Sequence, residues 1–440
     1  MFLIFDLSLQ LNGFPIKEAK SELRKIVAFS EKEHEIFLEN KKLEIVEYHL
    51  KNNTSYQNFV GKTSFQNWND LPIMTKKDFQ KPLIERLSKG YSPKKVYVNK
   101  TSGSSGDPFI FAKDKYSHAL TWASIMHRFG WFGIDFNSSF QARFYGIPLD
   151  FIGNRKERFK DFLLHRFRFS IFDLSDDVLE GFLKKFRIKK FDYINGYTSS
   201  IILFAKFLQK KNIILANICP TLRVCIVTSE MLFEEDKILM EKQFGIPVVN
   251  EYGASELDLI AFENYDGELQ VNSETLFVEI LDTNNKPIPN GKEGRIVITS
   301  LFNKAHPFIR YDIGDIGVLA EKSTLKMPIL KKLIGRTNDI AILPSGKKSP
   351  GLTFYYVTKS IIEDDGNVKE FVVKQNKIDT FDIEYMSETE LSMEQINKIE
   401  LAISLYLEKG LTFRFIRKDT LERSKSGKLK QFVSLIKEIE

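Results

Sequence analysis

Residues 101–106 read Thr-Ser-Gly-Ser-Ser-Gly, the densest run of glycines and hydroxyls in the chain. Glycine lets the backbone turn tightly and approach a ligand. Successive N–H groups in such a loop can converge on an anion, and hydroxyls add donors. Thr101, Ser102, Gly103, Ser104, Ser105 and Gly106 are therefore candidate phosphate-binding residues. No Gly-Lys-Ser/Thr closes the run, so it is not a Walker A loop, and taken alone it also has the composition of a long polar hairpin loop. Four further stretches follow: EYGASE (251–256), RYDIGD (310–315), GRTND (335–339) and RSKSGK (423–428). In isolation each has an ordinary reading: a surface loop with a solvated glutamate, a turn aspartate beside glycine, a linker turn, and a solvated basic tail.

Positioning these stretches requires a frame. Residues 15–60 carry apolar positions at helical spacing, among them Ile36, Phe37, Leu43, Ile45 and Val46. A Pro-broken connection follows, with Thr75 as N-cap of a short helix. The runs 96–98 and 109–111 read as two short strands flanking the Gly/Ser loop. Residues 221–251 read strand, helix, strand: RVCIV, then an amphipathic helix from Ser229 to Phe244 stopped by Gly245, then PVVN leading into EYGASE. A strand feeding a loop at its C-terminal end is where α/β sheets place ligands. The β-like runs ELQVN, LFVEILD and GRIVITS come next. Beyond 335–339 the text changes: FDIEY alternates as a strand, 393–409 has Ile396, Ile399, Ile403 and Tyr406 at helix spacing with Gly410 as stop, and LTFRFIR is a further strand. The expected architecture is a large N-terminal α/β domain (1–334, mixed sheets flanked by helices plus a β-rich part), a hinge at 335–339, and a small mobile α+β domain at 340–440.

Composition narrows the function classes. A chain of 440 residues that is 43% hydrophobic and 28% charged is globular, and 38 Phe predict Phe-rich cores. Lys+Arg 64 against Asp+Glu 58 leaves only +6, too mild and too dispersed for a dedicated nucleic-acid binder. Cys219 and Cys225 cannot build a disulfide framework or a four-cysteine zinc site. The apolar start carries Asp6 and no basic n-region, and no window approaches the roughly 20 apolar residues of a membrane span. The expectation is a cytoplasmic protein with at most peripheral membrane contact.

In order, the five motifs resemble those of the adenylate-forming (acyl-CoA synthetase/luciferase-like) superfamily, from about residue 70 to 435. The intervening text (WNDLPIMTKKDF, TSEMLFEED, GRTNDIAILPSGKKSPG) resembles the phenylacetate–CoA ligase subgroup, and most of all CapK-type proteins found with capsule and surface-polysaccharide genes. The resemblance implies an adenylate-forming enzyme fold and an ATP- and Mg²⁺-dependent ligase. It would join a small-molecule carboxylate to ATP as acyl-AMP with release of pyrophosphate, then transfer the acyl group to CoA. Residues 101–106 would grip the β- and γ-phosphates, with Asp107 where a lysine often follows. Glu256 would bind Mg²⁺, for which one carboxylate plus phosphate oxygens suffices. Ser255 would contact phosphate or carboxylate, and Tyr252 and Gly253 would flank the adenine and acyl group. Asp315 would accept from both ribose hydroxyls. Arg336 would reach ribose or phosphate, and Lys428 would act in adenylation, with Lys425 and Lys430 as alternative contacts. The usual hinge residue is replaced by Asn338, followed by Asp339. Arg310 reads as a phosphate or a structural arginine.

Other features carry less. The six histidines show no metal-binding spacing, although His306 sits where it would line a pocket. Trp122, Phe129, Trp131 and Phe132 read as core before acyl pocket. The basic–aromatic stretch 155–190 reads as solvated helix with a buried Phe stripe before a surface touching a membrane or polyanion. Besides polyanion binding through 155–190, which would show steep salt dependence, two rivals stay open. One keeps adenylation and gives the acyl group to an amine or sugar acceptor, as an amide-forming surface-polysaccharide modification. The other is a non-catalytic nucleotide-binding or scaffold protein on a ligase fold.

Overall fold

The computed structural model describes residues 4–61, 65, 67–101, 109–146, 151–171, 174–230, 232, 234–334, 340–350, 368–387, 389–419, 421 and 432–436. The chain divides into two compact units. The first comprises Met1–Thr101, Pro108–Asn137 and Val249–Gly335, and the second holds Ser138–Val248 and Arg336–Glu440 with the short Ser102–Asp107 piece.

In the first unit the helices Ile16–Ala28, Glu31–Asn52 and Thr54–Val60 replace the single helical stretch expected over 15–60. The breaks are chemical: Ser30 caps the second helix through a reciprocal Ser30–Glu33 box, and Asn53 Oδ1 accepts from Tyr56 N–H at 2.8 Å to cap the third. Thr75 caps a 3-10 turn, Lys76–Phe79, and its N–H donates to Asp78 Oδ2 at 2.7 Å. Strands Tyr97–Lys100 and Ile110–Lys113 pair antiparallel as a hairpin whose connection carries the Gly/Ser run.

The β-rich part is antiparallel. Its strand order is Leu276–Leu281, Glu293–Ser300, Tyr311–Leu319, Ile329–Ile334, Leu269–Val271, Asp258–Glu263 and Val248–Ala254. One core cluster joins Phe79, Phe109, Phe111, Tyr252, Phe308 and Tyr311, so the residues beside the motifs are anchored in packed aromatics.

The second unit holds four parallel strands ordered Val224–Thr228, Tyr193–Tyr197, Gln141–Phe144 and Arg166–Phe169, connected by helices. Its core is Phe-rich, as the composition predicts: Phe144, Phe169, Phe182, Phe186, Phe191 and Phe204 stack and interlock. The expectation of a helical 155–190 is corrected here. Arg166–Phe169 is a strand between helices Phe151–Leu163 and Asp176–Ile188, because its Arg-Phe alternation fits a pleat and its arginines find carboxylates on the preceding helix. The Phe stripe is buried only on the later helix, through Phe182 and Phe186.

Towards the C-terminus, strands Thr412–Arg417, Thr380–Ser387, Val368–Lys377 and Phe432–Ser434 form a mixed sheet. Helix Met393–Tyr406 buries Ile399 and Ile403 in the associated core, and Gly410 takes φ +84° just past it. Among the described residues no helix is long and apolar enough to cross a membrane. Both cysteines are free and buried.

Candidate active site

In the first unit, one strand with the turn that follows it and a second strand each contribute one half of two carboxylate–phenol pairs. Tyr252, on Val248–Ala254, donates its hydroxyl to Asp315 Oδ2 at 2.7 Å. Asp315 lies on Tyr311–Leu319, and Tyr311 of that strand donates to Glu256 Oε1 at 2.8 Å. All four side chains are buried, Glu256 and Asp315 each with only 4% exposure. A buried carboxylate needs charge-assisted hydrogen bonds to remain favourable, and each phenol fixes its partner's rotamer. These contacts join EYGASE to RYDIGD across 55 and 63 residues of chain.

The loop that carries Ser255 and Glu256 is held in shape from below. The strand Val248–Ala254 bulges between Tyr252 and Gly253. Gly253 is required there, since a Cβ would stand 2.5 Å from the carbonyl oxygen of Asp258. Asp258 takes φ +56°, and its carboxylate pairs with buried Lys113, whose Nζ also lies 3.5 Å from the carbonyl oxygen of Ser255. Lys113 thus ties the hairpin strand Ile110–Lys113 to the Glu256 turn.

Thr101 sits at the neck of the Gly/Ser loop. Its N–H donates to the Phe109 carbonyl and its Oγ1 accepts from the Phe109 N–H, both at 3.0 Å. Ser102, Gly103, Ser104, Ser105 and Gly106 lie outside the described residues, as do Arg336, Asn338, Asp339, Lys425, Lys428 and Lys430.

Arg310 resolves to the structural role. Its fully buried guanidinium donates to Glu279 at 3.3 Å and to the carbonyls of Leu71 (2.9 Å) and Asn69 (3.1 Å), stitching the 68–71 turn to the sheet. Its φ of +46° is held by the N–H bond to Thr299 Oγ1 at 2.8 Å. Burial pushes the Glu279 carboxyl up against the downward pull of Arg310. Gly314, at φ +83°, turns the strand between Asp312 and Asp315, and its N–H donates to Asp312 Oδ1 at 2.8 Å.

His306 does not line a pocket. It is buried between Phe79 and Phe308, and its Nε2 accepts from Arg86 Nη1 at 2.6 Å. Phe129 is buried against Phe262, whereas Trp122, Trp131 and Phe132 are half-buried, Trp131 under the Arg128 guanidinium, so only Phe129 of this group is core. Sequence reasoning passed over Tyr311, Lys113 and Asp258. Tyr311 stands inside RYDIGD and was reachable from that motif, whereas Lys113 and Asp258 give no local signal.

The donor set is hard oxygen. Among the described residues no group of three or more His, Cys, Asp or Glu is placed to hold a metal ion. A single carboxylate oriented by a phenol, as at Glu256, fits Mg²⁺ that brings nucleotide phosphates as its other ligands. It does not fit a cation that needs an all-protein cage.

Solved structures share the fold. The chain is similar to a 2-hydroxyisobutyryl-CoA ligase in complex with 2-HIB-AMP and CoA, with TM-score 0.58 and 14% identity over 93% of this chain and 91% of that one. It matches the same ligase in the postadenylation state with TM-score 0.56 over 93% and 90%. The fold is that of the adenylate-forming enzymes. In sequence, the chain is 25% identical over 411 residues to Protein CapK of Staphylococcus aureus, covering 87% of this chain and 85% of that protein. It is 28% identical over 171 residues to Phenylacetate-coenzyme A ligase of Aromatoleum evansii, covering 35% and 38%. No family model matches the chain. In sequence the chain is thus similar to CapK and to phenylacetate–CoA ligases, and in fold to an acyl-CoA ligase.

Proposed function

We propose that the protein is an AMP-forming ligase that uses ATP and Mg²⁺ to activate a small-molecule carboxylate. A carboxylate oxygen attacks the α-phosphorus and the α–β bond breaks, releasing pyrophosphate. CoA thiolate then attacks the acyl carbon and AMP leaves. The observation that carries this reading is the coupled Tyr252–Asp315 and Tyr311–Glu256 pairs on a fold of this class.

In this reading Asp315 takes the ribose hydroxyls, with Tyr252 setting its orientation. Ser255 and the Thr101–Gly106 loop meet phosphate oxygens. Bound Mg²⁺ supplies positive charge at the phosphates, and Glu256 is its protein ligand. Arg336 reaches ribose or phosphate at the hinge 335–339, and residues 340–440 act as a lid that brings Lys428 to the α-phosphate. The reaction is cytoplasmic, where ATP and CoA are available.

A second reading keeps adenylation but gives the acyl group to an amine or sugar acceptor in capsule or surface-polysaccharide synthesis. The CapK likeness supports it, spanning 87% of the chain against 35% for the phenylacetate–CoA ligase.

A carboxylate panel read by pyrophosphate release tests the common step, and adding CoA or candidate amines separates the two readings. Glu256→Gln keeps the size and the Tyr311 contact but removes the charge. It is expected to cut pyrophosphate release by about 10²-fold and to raise the Mg²⁺ concentration needed, with an unchanged melting temperature. No release with any carboxylate, together with no calorimetric ATP binding in Mg²⁺, would leave a non-catalytic scaffold as the answer.

A further inference from the structure

Among its described side chains, helix Phe151–Leu163 turns acids inward and large apolar groups outward. Its carboxylates face the protein: Asp161 is buried and accepts from Arg166 Nε at 2.5 Å and from Arg168 Nε and Nη2, each at 3.0 Å. Glu157 accepts from Arg168 Nη2 at 2.9 Å. The side turned to solvent carries Phe159, Phe162 and Leu163, exposed by 63, 78 and 43%. Their spacing, i, i+3 and i+4, puts them on one face. Single exposed apolar side chains are ordinary, but a helix that hides its acids and presents two phenylalanines and a leucine together marks an interaction surface.

The surroundings are cationic. Phe167, on the strand at the end of the parallel order, has Arg158 Cζ, Lys185 Nζ and Lys189 Nζ over its ring at 5.7, 5.9 and 5.4 Å. This ring joins the apolar helix to the C-terminal end of Asp176–Ile188. There Ile188, 76% exposed, stands among exposed Lys184, Lys185, Arg187 and Lys190. Residues 155–169 and 184–191 hold eleven Lys and Arg against two carboxylates, a local +9 in a chain whose total is +6.

We propose that this surface docks the protein onto an anionic lipid bilayer. Phe159, Phe162, Leu163 and Ile188 enter the headgroup–acyl boundary while the flanking lysines and arginines meet lipid phosphates. The charge decides the occupant. A second copy would bring an equally cationic patch, and the two would repel. A nucleic acid would use the cations but leave the outward leucine and isoleucine without a partner.

The test is pelleting of the full chain with vesicles of phosphatidylcholine alone and of equal parts phosphatidylcholine and phosphatidylglycerol. Binding to the anionic vesicles, reversed by salt and weakened at least about tenfold in F159S/F162S, is expected, with a smaller loss in I188S. All three positions are exposed, so melting temperatures should match the wild type and exclude misfolding. Three results would overturn the proposal. One is no binding to anionic vesicles. Another is salt-sensitive binding indifferent to F159S/F162S and I188S, which marks a polyanion surface. The third is a wild-type dimer in sedimentation that F159S/F162S dissociates, which makes the occupant a second copy.

Discussion

The Tyr252 hydroxyl donates to Asp315 Oδ2 at 2.7 Å inside a buried environment, a contact that substitution can isolate. A hydrogen bond to a charged group contributes about 1.5–3 kcal/mol, and here it fixes the orientation of the carboxylate proposed to take the ribose hydroxyls. Tyr252→Phe keeps the ring in the core cluster and removes only that donor. The expected result is a KM for ATP raised about tenfold with kcat little changed, since ribose binding is the same in ground and transition states. Steady-state pyrophosphate release at varied ATP measures it. An equal fall in kcat with unaltered KM would place Tyr252 at the reacting atoms instead.

At the scale of elements, the hairpin beneath the site is locked to the long helix Glu31–Asn52 through one buried imidazole. His49 Nε2 donates to the Asn303 carbonyl at 2.9 Å, and Ser88 Oγ lies 3.2 Å from Nδ1. Asn303 Nδ2 in turn donates to the Ala112 carbonyl at 2.9 Å. Burial, opposed by the Asn303 contact, lowers the His49 pKa from 6.5 to about 4, and burial beside Arg86 holds that of His306 well below its usual value. Between these values the unfolded chain binds protons that the folded chain refuses. Stability is therefore complete above pH 6.5 and falls as pH drops towards 4, by up to about 1.4 kcal/mol per pH unit for each imidazole. Thermal melts at pH 7 and pH 5 should show the loss, and His49→Gln should remove its share while leaving those of His306 and of His118, whose burial also lowers its pKa to about 4. That comparison separates the imidazole from Asp114 and Glu279, whose buried carboxyls shift upward.

The same elements show what the text of the chain could reveal. Thr75 and Gly245 announced their cap and stop because those signals are local, whereas the last helix ends at Tyr406, four residues short of Gly410. The strand Arg166–Phe169 did not, because its charges read as solvated until Asp161 and Glu157 are seen beside them. Lys113 was invisible for the same reason: Asp258, its partner, lies 145 residues away.

For the whole molecule, the order of the five motifs made the fold class legible, while the geometry of the RSKSGK segment lies outside the described residues. The proposal that residues 340–440 act as a lid therefore rests on the chemistry of Lys428 and is best judged by splitting the reaction. An anionic carboxylate must approach an anionic triphosphate, and an ammonium on a glycine-adjacent loop is suited to neutralising charge as it builds on the α-phosphate. The second half-reaction expels AMP and makes no such demand. Lys428→Ala is thus expected to lower carboxylate-dependent pyrophosphate release by about 10²–10³-fold, while acyl transfer from supplied acyl-adenylate to the acceptor proceeds near the wild-type rate. If both halves fall together, the lysine serves folding or nucleotide binding in general. If neither falls, Lys425 or Lys430 carries the charge, and the same split measured on those two variants identifies which.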